Sequence, residues 1–321
     1  MSVAAIGAAV LTPVLVTHAS AASEFCVSGT LKYTHVDAEA GGRSTTNPAR
    51  GSEWELWGND GSDKKLTSGT IADNGSFNAC HRPARGSSLT KVRVQFFARG
   101  NGANVVTDVS PYATGYSFET RSASAITRDL GDVMVPSAAG AWKIVDTFKE
   151  LSSKTAKANG TKYVWPTAIA QAPFFDTINT YAVFLKEDDT RSKHLILHEA
   201  GHSLQYKAQG KWWDSSKNLC PKGHRFGEVL SPECAFTEGF GDAVAAHALG
   251  DAKYVHPSGT VVSLRPPSAG SNWTTQDDVA GALVARWNTD GKFRSDLNAF
   301  SGQLVDTYAQ FFSLAGGAPR P

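Results

Sequence analysis

The sequence lacks a strong charge of either sign, because 31 basic and 30 acidic residues leave a net charge of +1. Without a basic excess, the composition gives no argument for a nucleic-acid partner. Beyond the first 21 residues it also lacks any apolar run long enough for a membrane span. What is present is 41% hydrophobic residues over 321 positions, enough for the cores of two domains.

Residues 1–21 are predicted to be a secretory signal peptide. Their apolar run from Ala4 to Val16 is followed by an A-x-A cleavage pattern at Ala19–Ala21. No Lys or Arg precedes the run, which is unusual for a signal peptide, and a membrane helix is the alternative. That alternative is disfavoured because the run is short and rich in Ala and Gly. We therefore expect a secreted, extracellular protein.

Cysteine is scarce, and the absence of any C-x-x-C pair argues against a cysteine zinc site. The four cysteines are Cys26, Cys80, Cys220 and Cys234. An even number in an exported chain favours disulfides, for which three connectivities exist. Proximity in the sequence favours Cys26–Cys80 and Cys220–Cys234.

The most informative motif is H-E-x-x-H, which runs from His198 to His202 directly after three apolar residues. On a helix, two histidines four positions apart lie on one face, one turn from each other. Both imidazoles can then reach one metal ion at about 2.0–2.1 Å. Glu199 lies where a general base would activate a zinc-bound water. The small residues Ala200 and Gly201 indicate that a neighbour packs closely against this helix.

A second predicted helix begins after Ser231, an N-cap residue, and runs to about Leu249 before Gly250 ends it. Glu238 and Asp242 are four positions apart on it and share one face. One carboxylate is expected to bind zinc and the other to accept a hydrogen bond from a ligand histidine, which fixes the tautomer of that ring. Two buried carboxylates on one face require a cation or hydrogen-bond donors nearby.

H-E-x-x-H followed by E-G-F-G-D at Glu238–Asp242 resembles the active-site helices of the gluzincin metallopeptidases, the group that includes thermolysin. The resemblance implies that His198, His202 and Glu238 bind Zn²⁺. It also implies that Glu199 is the catalytic carboxylate and that Asp242 orients the ring of His198. The segment between the two helices is longer than in thermolysin, and the G-x-M-E-N signature of gluzincin aminopeptidases is absent. Both departures point to a secreted, endopeptidase-like branch.

Residues 24–136 are predicted to form a β-sandwich, because short alternating strands are separated by turn signals. Val92, Val94 and Phe96, for example, alternate with polar residues as in a half-buried strand. The V-x-G-x-L-x-Y strand that begins at Val27, followed by a W-x-L strand, resembles the transthyretin-like modules of bacterial surface proteins. Such a module could bind a partner or serve as a spacer. The alternative, which we favour, is that it is an accessory fold without a site of its own.

A small-residue linker at 137–141 is predicted to lead into a metallopeptidase domain at 141–321. The gluzincin resemblance implies a Tyr or His that donates to the oxyanion of the transition state. Tyr254 and His256 flank a turn downstream of the second helix and are candidates for this catalytic role. Tyr206 and His224, in the segment 205–229, are further candidates for the oxyanion donor.

The segment 205–229 connects the two zinc-bearing helices and is expected to cover the cleft between them. Its Trp212 and Trp213 either line a substrate pocket or pack the segment onto the body. His194, one turn before His198, is expected to be a half-exposed helix residue rather than a fourth imidazole near the metal.

The predicted fold class is α+β: an N-terminal β-sandwich, then a zincin-type α+β metallopeptidase domain whose C-terminal half is mainly helical. The predicted function is zinc-dependent hydrolysis of peptide bonds in a peptide or protein substrate by a monomer. The alternative is a secreted binding or adhesion protein whose zinc site is structural. A structural site has four protein ligands, whereas a catalytic site leaves one position for water, and only three ligands are visible in the sequence.

Overall fold

The structure is a computed structural model. It describes residues 24–59, 61–83, 89–108, 114–121, 127–167, 171–175, 181–210, 220, 223–267, 273–300 and 302–316. The predicted signal peptide and the tryptophans at 212 and 213 lie outside these ranges. None of the helices in the described part of the chain is both long and apolar enough to cross a lipid bilayer.

The first half of the chain consists of strands. They are β1 Phe25–Asp37, β2 Arg43–Pro48, β3 Glu53–Asn59, β4 Asp63–Thr70, β5 Ser76–His81, β6 Thr90–Phe97, β7 Arg99–Gly100, β8 Ala103–Val106, β9 Ser117–Arg121 and β10 Arg128–Met134. One four-stranded sheet is built on the long strand β1, which pairs with β10 in parallel and with β5 and β2 in antiparallel. The other has the order β4-β3-β6-β9.

The two sheets bury their apolar faces against one another. Along β6, Val92, Val94 and Phe96 are buried while the residues between them are partly exposed, which is the alternation that the sequence predicts. Phe96 packs edge-on against Phe77 of the other sheet, with ring centroids 5.0 Å apart. A disulfide joins Cys26 of β1 to its paired position on β5, Cys80.

The second half mixes helices and strands. Its elements are α1 Ala139–Lys154, β11 Thr161–Val164, β12 Gln171–Phe175, β13 Tyr181–Phe184, α2 Lys193–Gln209, α3 Pro232–Leu249, β14 Lys253–Val255, β15 Val261–Ser263, α4 Gln276–Thr289, α5 Phe293–Ala299 and α6 Tyr308–Leu314. The fold is therefore mixed α/β, with six helices in the described part of the chain. Helix α1 begins inside the predicted linker, because Ala141 and Trp142 are already buried against the body.

A third sheet joins the two halves. Its order is β12-β13-β11-β8-β7, with β13, β11 and β8 parallel and β12 antiparallel to β13. The hairpin β7–β8 therefore leaves the first two sheets, and its strand β8 pairs with β11, where each residue lies 58 positions after its partner. One buried apolar cluster also runs through both halves. The range 24–136 thus contributes strands to the part of the fold that holds the helices.

Helices α2 and α3 cross at two glycines. A Cβ at Gly201 would lie 2.9 Å from the Cα of Gly241, closer than carbon atoms pack in proteins. The crossing therefore needs a glycine at 201, which explains why the chain tolerates a poor helix former there. The close approach brings the polar faces of the two helices together.

Candidate metal centre

Local sequence fixes both ends of α2. The hydroxyl of Ser192 accepts a hydrogen bond from the backbone N–H of Leu195, and Gly210 ends the helix in the left-handed conformation at φ 70°. Between these ends, His198 and His202 lie one turn apart and are buried on the side that faces α3.

Helix α3 begins and ends where the sequence predicts. Ser231 accepts from the N–H of Cys234 at 3.1 Å, Pro232 occupies the first turn, and Gly250 ends the helix at φ 75°. Glu238 and Asp242 are both buried. Their burial next to the histidines of α2 supplies the donors that two buried carboxylates require.

Three buried side chains present one potential ligand atom each to a common point. His198 Nε2 lies 3.1 Å from His202 Nε2 and 3.4 Å from Glu238 Oε2. The remaining distance, from His202 Nε2 to Glu238 Oε2, is 3.8 Å. Ligands at about 2.0–2.1 Å from a tetrahedral zinc ion lie about 3.3–3.4 Å from one another. The three residues therefore fit one Zn²⁺ ion, with two nitrogens and one oxygen that suit this metal.

Asp242 holds the ring of His198. Its Oδ1 accepts from His198 Nδ1 at 2.7 Å, which directs Nε2 towards His202 and Glu238. The other oxygen, Oδ2, accepts from the buried side chain of Gln276 at 3.2 Å. Gln276 is the first residue of α4, and the sequence analysis missed it because no local pattern links it to α3.

The protonation of two of the three ligand residues suits metal binding. Burial lowers the pKa of His202 to about 3, so its ring is neutral and can offer a lone pair. Burial opposes ionisation of Glu238, but hydrogen bonds from His198 and His224 hold its pKa well below the usual value. Glu238 is therefore a carboxylate at neutral pH.

Glu199 is buried beside the ligand group. Burial raises its pKa to about 7, the range in which a carboxyl group both takes up and releases a proton at neutral pH. Its Oε2 is buried without a hydrogen-bond partner among the described residues. A buried carboxylate oxygen without a partner is costly in a purely structural role, and it fits a site where water or substrate binds.

His224 reaches the site from the segment between the helices. Its Nε2 lies 3.0 Å from Glu238 Oε2, and its side chain is partly exposed. It is not a member of the group of three ligand atoms, which lie within 4.8 Å of one another. The disulfide between Cys220 and Cys234, the pair that sequence proximity favours, ties this segment to the first turn of α3.

Tyr254 and His256 are placed differently. The ring of Tyr254, on β14, lies edge-on to His198 with centroids 6.0 Å apart and is buried. The His256 ring is 5.0 Å from the ring of Tyr254 and 5.5 Å from that of Phe226. The structure therefore brings Tyr254 against His198, and it packs His256 against Tyr254 and Phe226.

The exposure predicted for His194 was wrong. This residue is fully buried rather than half-exposed, and it does not face the ligand group. Its Nδ1 lies 3.0 Å from Glu39 Oε1 and its Nε2 3.2 Å from Asp251 Oδ1. Two carboxylates from distant parts of the chain satisfy both ring nitrogens, and this is what makes the burial of His194 possible.

Comparison with known proteins gives two family matches. The family profile described as the mycolysin C-terminal domain matches residues 147–318, and that of the mycolysin middle domain matches residues 26–143. No curated protein matches significantly.

Among solved structures, a 9R-lipoxygenase from Cyanothece PCC8801 is 16% identical over 42% of this chain, with a TM-score of 0.24. This chain covers 24% of that lipoxygenase, and a likeness this low supports no inference about fold or function. The mycolysin C-terminal profile, by contrast, covers more than half of the 321 residues. This chain therefore belongs to the mycolysin family of proteases.

Proposed function

We propose that this protein is a secreted, zinc-dependent metallopeptidase of the gluzincin type that hydrolyses peptide bonds in peptide or protein substrates. The observation that carries the proposal is the group of three buried ligand atoms on His198, His202 and Glu238. Membership of a protease family and the buried carboxyl group of Glu199 beside this group support the proposal.

The residues of the site divide the chemistry among them. A zinc ion held by the three ligands would lower the pKa of water to about 7 and polarise the scissile carbonyl. Glu199 takes the proton from the attacking water and delivers it to the leaving amine. Asp242 keeps the Nδ1 proton of His198 in place, so that Nε2 faces the ligand group.

A donor to the oxyanion comes from one of three residues. Tyr254 is the strongest candidate, because its buried ring contacts that of His198. His224 is the second, since its Nε2 is 3.0 Å from a ligand carboxylate. His256 is the weakest, because its ring packs against those of Tyr254 and Phe226.

The edge of the third sheet offers a place for a peptide substrate. Among the strands that the structure describes, β12 is last in the order of this sheet, and it packs beside α2, which carries the H-E-x-x-H motif. An extended peptide can add to such an edge through main-chain hydrogen bonds. We propose that substrate binds there as an additional strand.

For the whole chain we propose an N-terminal β-sandwich at 24–136, of the transthyretin-like type, and a zincin-type domain at 141–321. The protein is proposed to act outside the cell as a monomer. Two disulfides, Cys26–Cys80 and Cys220–Cys234, support an oxidising compartment.

A binding protein with a structural zinc site is the second candidate. The observation in its favour is His224, an additional imidazole whose Nε2 lies 3.0 Å from Glu238 Oε2. A structural site needs four protein ligands, and among the described residues the group contains three. Catalysis is therefore the better-supported function.

The substitution Glu199→Gln tests the proposal. The amide is nearly isosteric with the carboxyl group but takes no proton, so peptide cleavage should fall by at least about 10²-fold while zinc remains bound. Cleavage of a mixed peptide library and zinc content are measured on both proteins, before and after treatment with a strong chelator. Near-normal cleavage by the variant, or by chelated wild-type protein, would show that the proposed mechanism is wrong.

A further inference from the structure

Helix α2 lacks an acidic residue in its own first turn, unlike α3 and α4. A helix N-terminus carries a partial positive charge and backbone N–H groups without helical partners, and a carboxylate stabilises both. In α2 this carboxylate comes from Glu39, which lies in the turn after β1. Glu39 and Lys193, the first residue of α2, are 154 residues apart in the chain.

Glu39 satisfies the first two N–H groups of the helix. Its Oε1 accepts from the N–H of Lys193 at 2.7 Å and from the N–H of His194 at 3.2 Å. The third N–H, of Leu195, is bonded to Ser192, and the fourth, of Ile196, to the Ser192 carbonyl. Of the four N–H groups at the start of α2, two are therefore satisfied by the cap residue Ser192 and two by Glu39 of the N-terminal region.

The same carboxylate reaches a side chain one turn before the first metal-ligand position. Glu39 Oε1 lies 3.0 Å from His194 Nδ1, and the opposite nitrogen of that ring lies 3.2 Å from Asp251. Asp251 follows directly after α3. Glu39, His194 and Asp251 thus form a chain of contacts, the capping triad, from the N-terminal region through α2 to the end of α3.

Neighbouring contacts hold Glu39 in place. The N–H of Ala38 donates to the carbonyl of Arg191 at 2.8 Å, just before α2 begins. The buried Lys143 of α1 donates to the same carbonyl at 2.9 Å and to that of Val36 at 3.1 Å. The chain directly before Glu39 is therefore docked against the start of α2 and against α1.

We propose that Glu39 is a positioning residue for the metal centre: through the capping triad it sets the start of α2 relative to α3, and with it the separation of His198 and His202 from Glu238. The inference rests on the proposed zinc site. It gives the N-terminal region a role in metal binding in place of the accessory role that the sequence suggests.

The test compares zinc affinity in full-length variants by competitive titration, together with the visible spectrum of the Co²⁺-loaded proteins. Glu39→Ala removes the acceptor, and its zinc affinity should fall by about tenfold, the low end for residues outside the ligand set. Glu39→Gln keeps an acceptor oxygen and should recover part of this loss. The Co²⁺ spectrum of Glu39→Ala should differ from that of the wild type, because the ligand geometry changes.

The matched control is Tyr33→Phe. Tyr33 lies on β1, the strand that precedes Glu39, and donates to Asp146 of α1 at 2.6 Å, so its loss weakens the contact between the two halves without touching α2. This variant should unfold at a lower denaturant concentration and keep wild-type zinc affinity. Equal zinc affinity and an unchanged Co²⁺ spectrum in Glu39→Ala, with only its stability reduced, would overturn the inference. Wild-type protein that binds no zinc would instead overturn the proposed function on which it rests.

Discussion

At the scale of single residues, Glu238 and Asp242 are distinguished by what each carboxylate contacts. Glu238 Oε2 lies 3.4 Å from His198 Nε2 and belongs to the ligand group, whereas Asp242 lies against Nδ1 of the same ring. Glu238→Ala should therefore abolish tight zinc binding and activity. Asp242→Ala should retain zinc with an affinity about 10–100-fold lower and keep residual activity. Competitive zinc titration separates the two variants.

The control for this pair is Glu233→Ala, which removes a partly exposed carboxylate from the first turn of the same helix. Its zinc affinity should equal that of the wild type. Complete loss of zinc from Asp242→Ala together with retention by Glu238→Ala would mean that the two carboxylates have the opposite roles.

Gly241 leaves space for the ring of His198. A Cβ at this position would lie 2.9 Å from His198 Nδ1, the atom that donates to Asp242. Gly241→Ala should therefore displace the ring and weaken zinc binding by at least about tenfold. Titration with zinc measures the effect, and Gly58→Ala is the control. In that variant the new methyl group would crowd only the ends of two leucine side chains in the N-terminal sheets. Equal zinc affinity of the two variants would contradict the prediction.

At the scale of elements, the sequence predicted the helices of the site better than the contacts between them. The bounds of α3 follow from Ser231 and Gly250, whose effects act within one helical turn. The contact between Gln276 and Asp242 joins positions 34 residues apart, and that between Glu39 and α2 spans 154. No local pattern identifies which amide or carboxylate returns to a given helix, because tertiary packing decides it.

His194 illustrates the same limit. Its spacing on α2 does not specify whether it is exposed, and its burial depends on two carboxylates that arrive from other elements. The candidate ligand residues could be named from the sequence because their spacing on each helix is what binding to one metal ion requires. The distances between them could not be predicted, since these depend on how closely α2 and α3 cross at Gly201 and Gly241.

The segment between α2 and α3 is held by the Cys220–Cys234 disulfide, which closes a loop with a sequence separation of 14. Replacing both cysteines by Ser should lower the free energy of unfolding by about 3 kcal/mol in the chain-entropy model. Zinc affinity should also fall, because His224 lies inside this loop and contacts Glu238. Urea unfolding and zinc titration measure the two effects.

Removing the other disulfide is the matched control. Cys26–Cys80 closes a longer loop, with a separation of 54, so its loss should cost about 4 kcal/mol. It lies between β1 and β5, away from the ligand group, and zinc affinity should not change. A similar loss of zinc affinity in both double variants would remove His224 from the explanation.

At the scale of the whole molecule, the two predicted parts are not independent. Strand β8, from the range assigned to the β-sandwich, pairs with β11 of the other part, and β7 joins the same sheet through β8. Tyr33 of β1 donates to Asp146 of α1, and Glu39 completes the start of α2. A boundary drawn from composition alone cannot detect such pairings, because a short hairpin looks the same in either sheet.

The capping triad should make the stability of the whole chain depend on pH. Burial alone would lower the pKa of His194, but Asp251 and Glu39 raise it above the ordinary 6.5. The contribution of His194 to the free energy of unfolding is therefore complete below pH 6.5, and it is lost as the pH rises through the raised pKa of the folded state. For Glu39, burial would raise the pKa, but this is outweighed chiefly by the hydrogen bond from His194, and the pKa falls from 4.5 to about 2. The contribution of Glu39 to the free energy of unfolding is complete above pH 4.5, and it is lost as the pH falls towards 2.

His194→Gln tests this dependence, because Gln retains hydrogen-bonding groups but carries no charge. Other charges face the triad, namely those of Asp37, Lys143, Lys193 and Lys253, and they are the same in both proteins. The free energy of unfolding is measured in urea with a chelator present, at about pH 5.5 and about pH 9. The wild type should exceed the variant by more at the lower pH, where the imidazolium lies between two carboxylates. A difference that is equal at both pH values, or larger at the higher one, would mean that His194 is neutral in the folded protein and holds the helices by neutral hydrogen bonds.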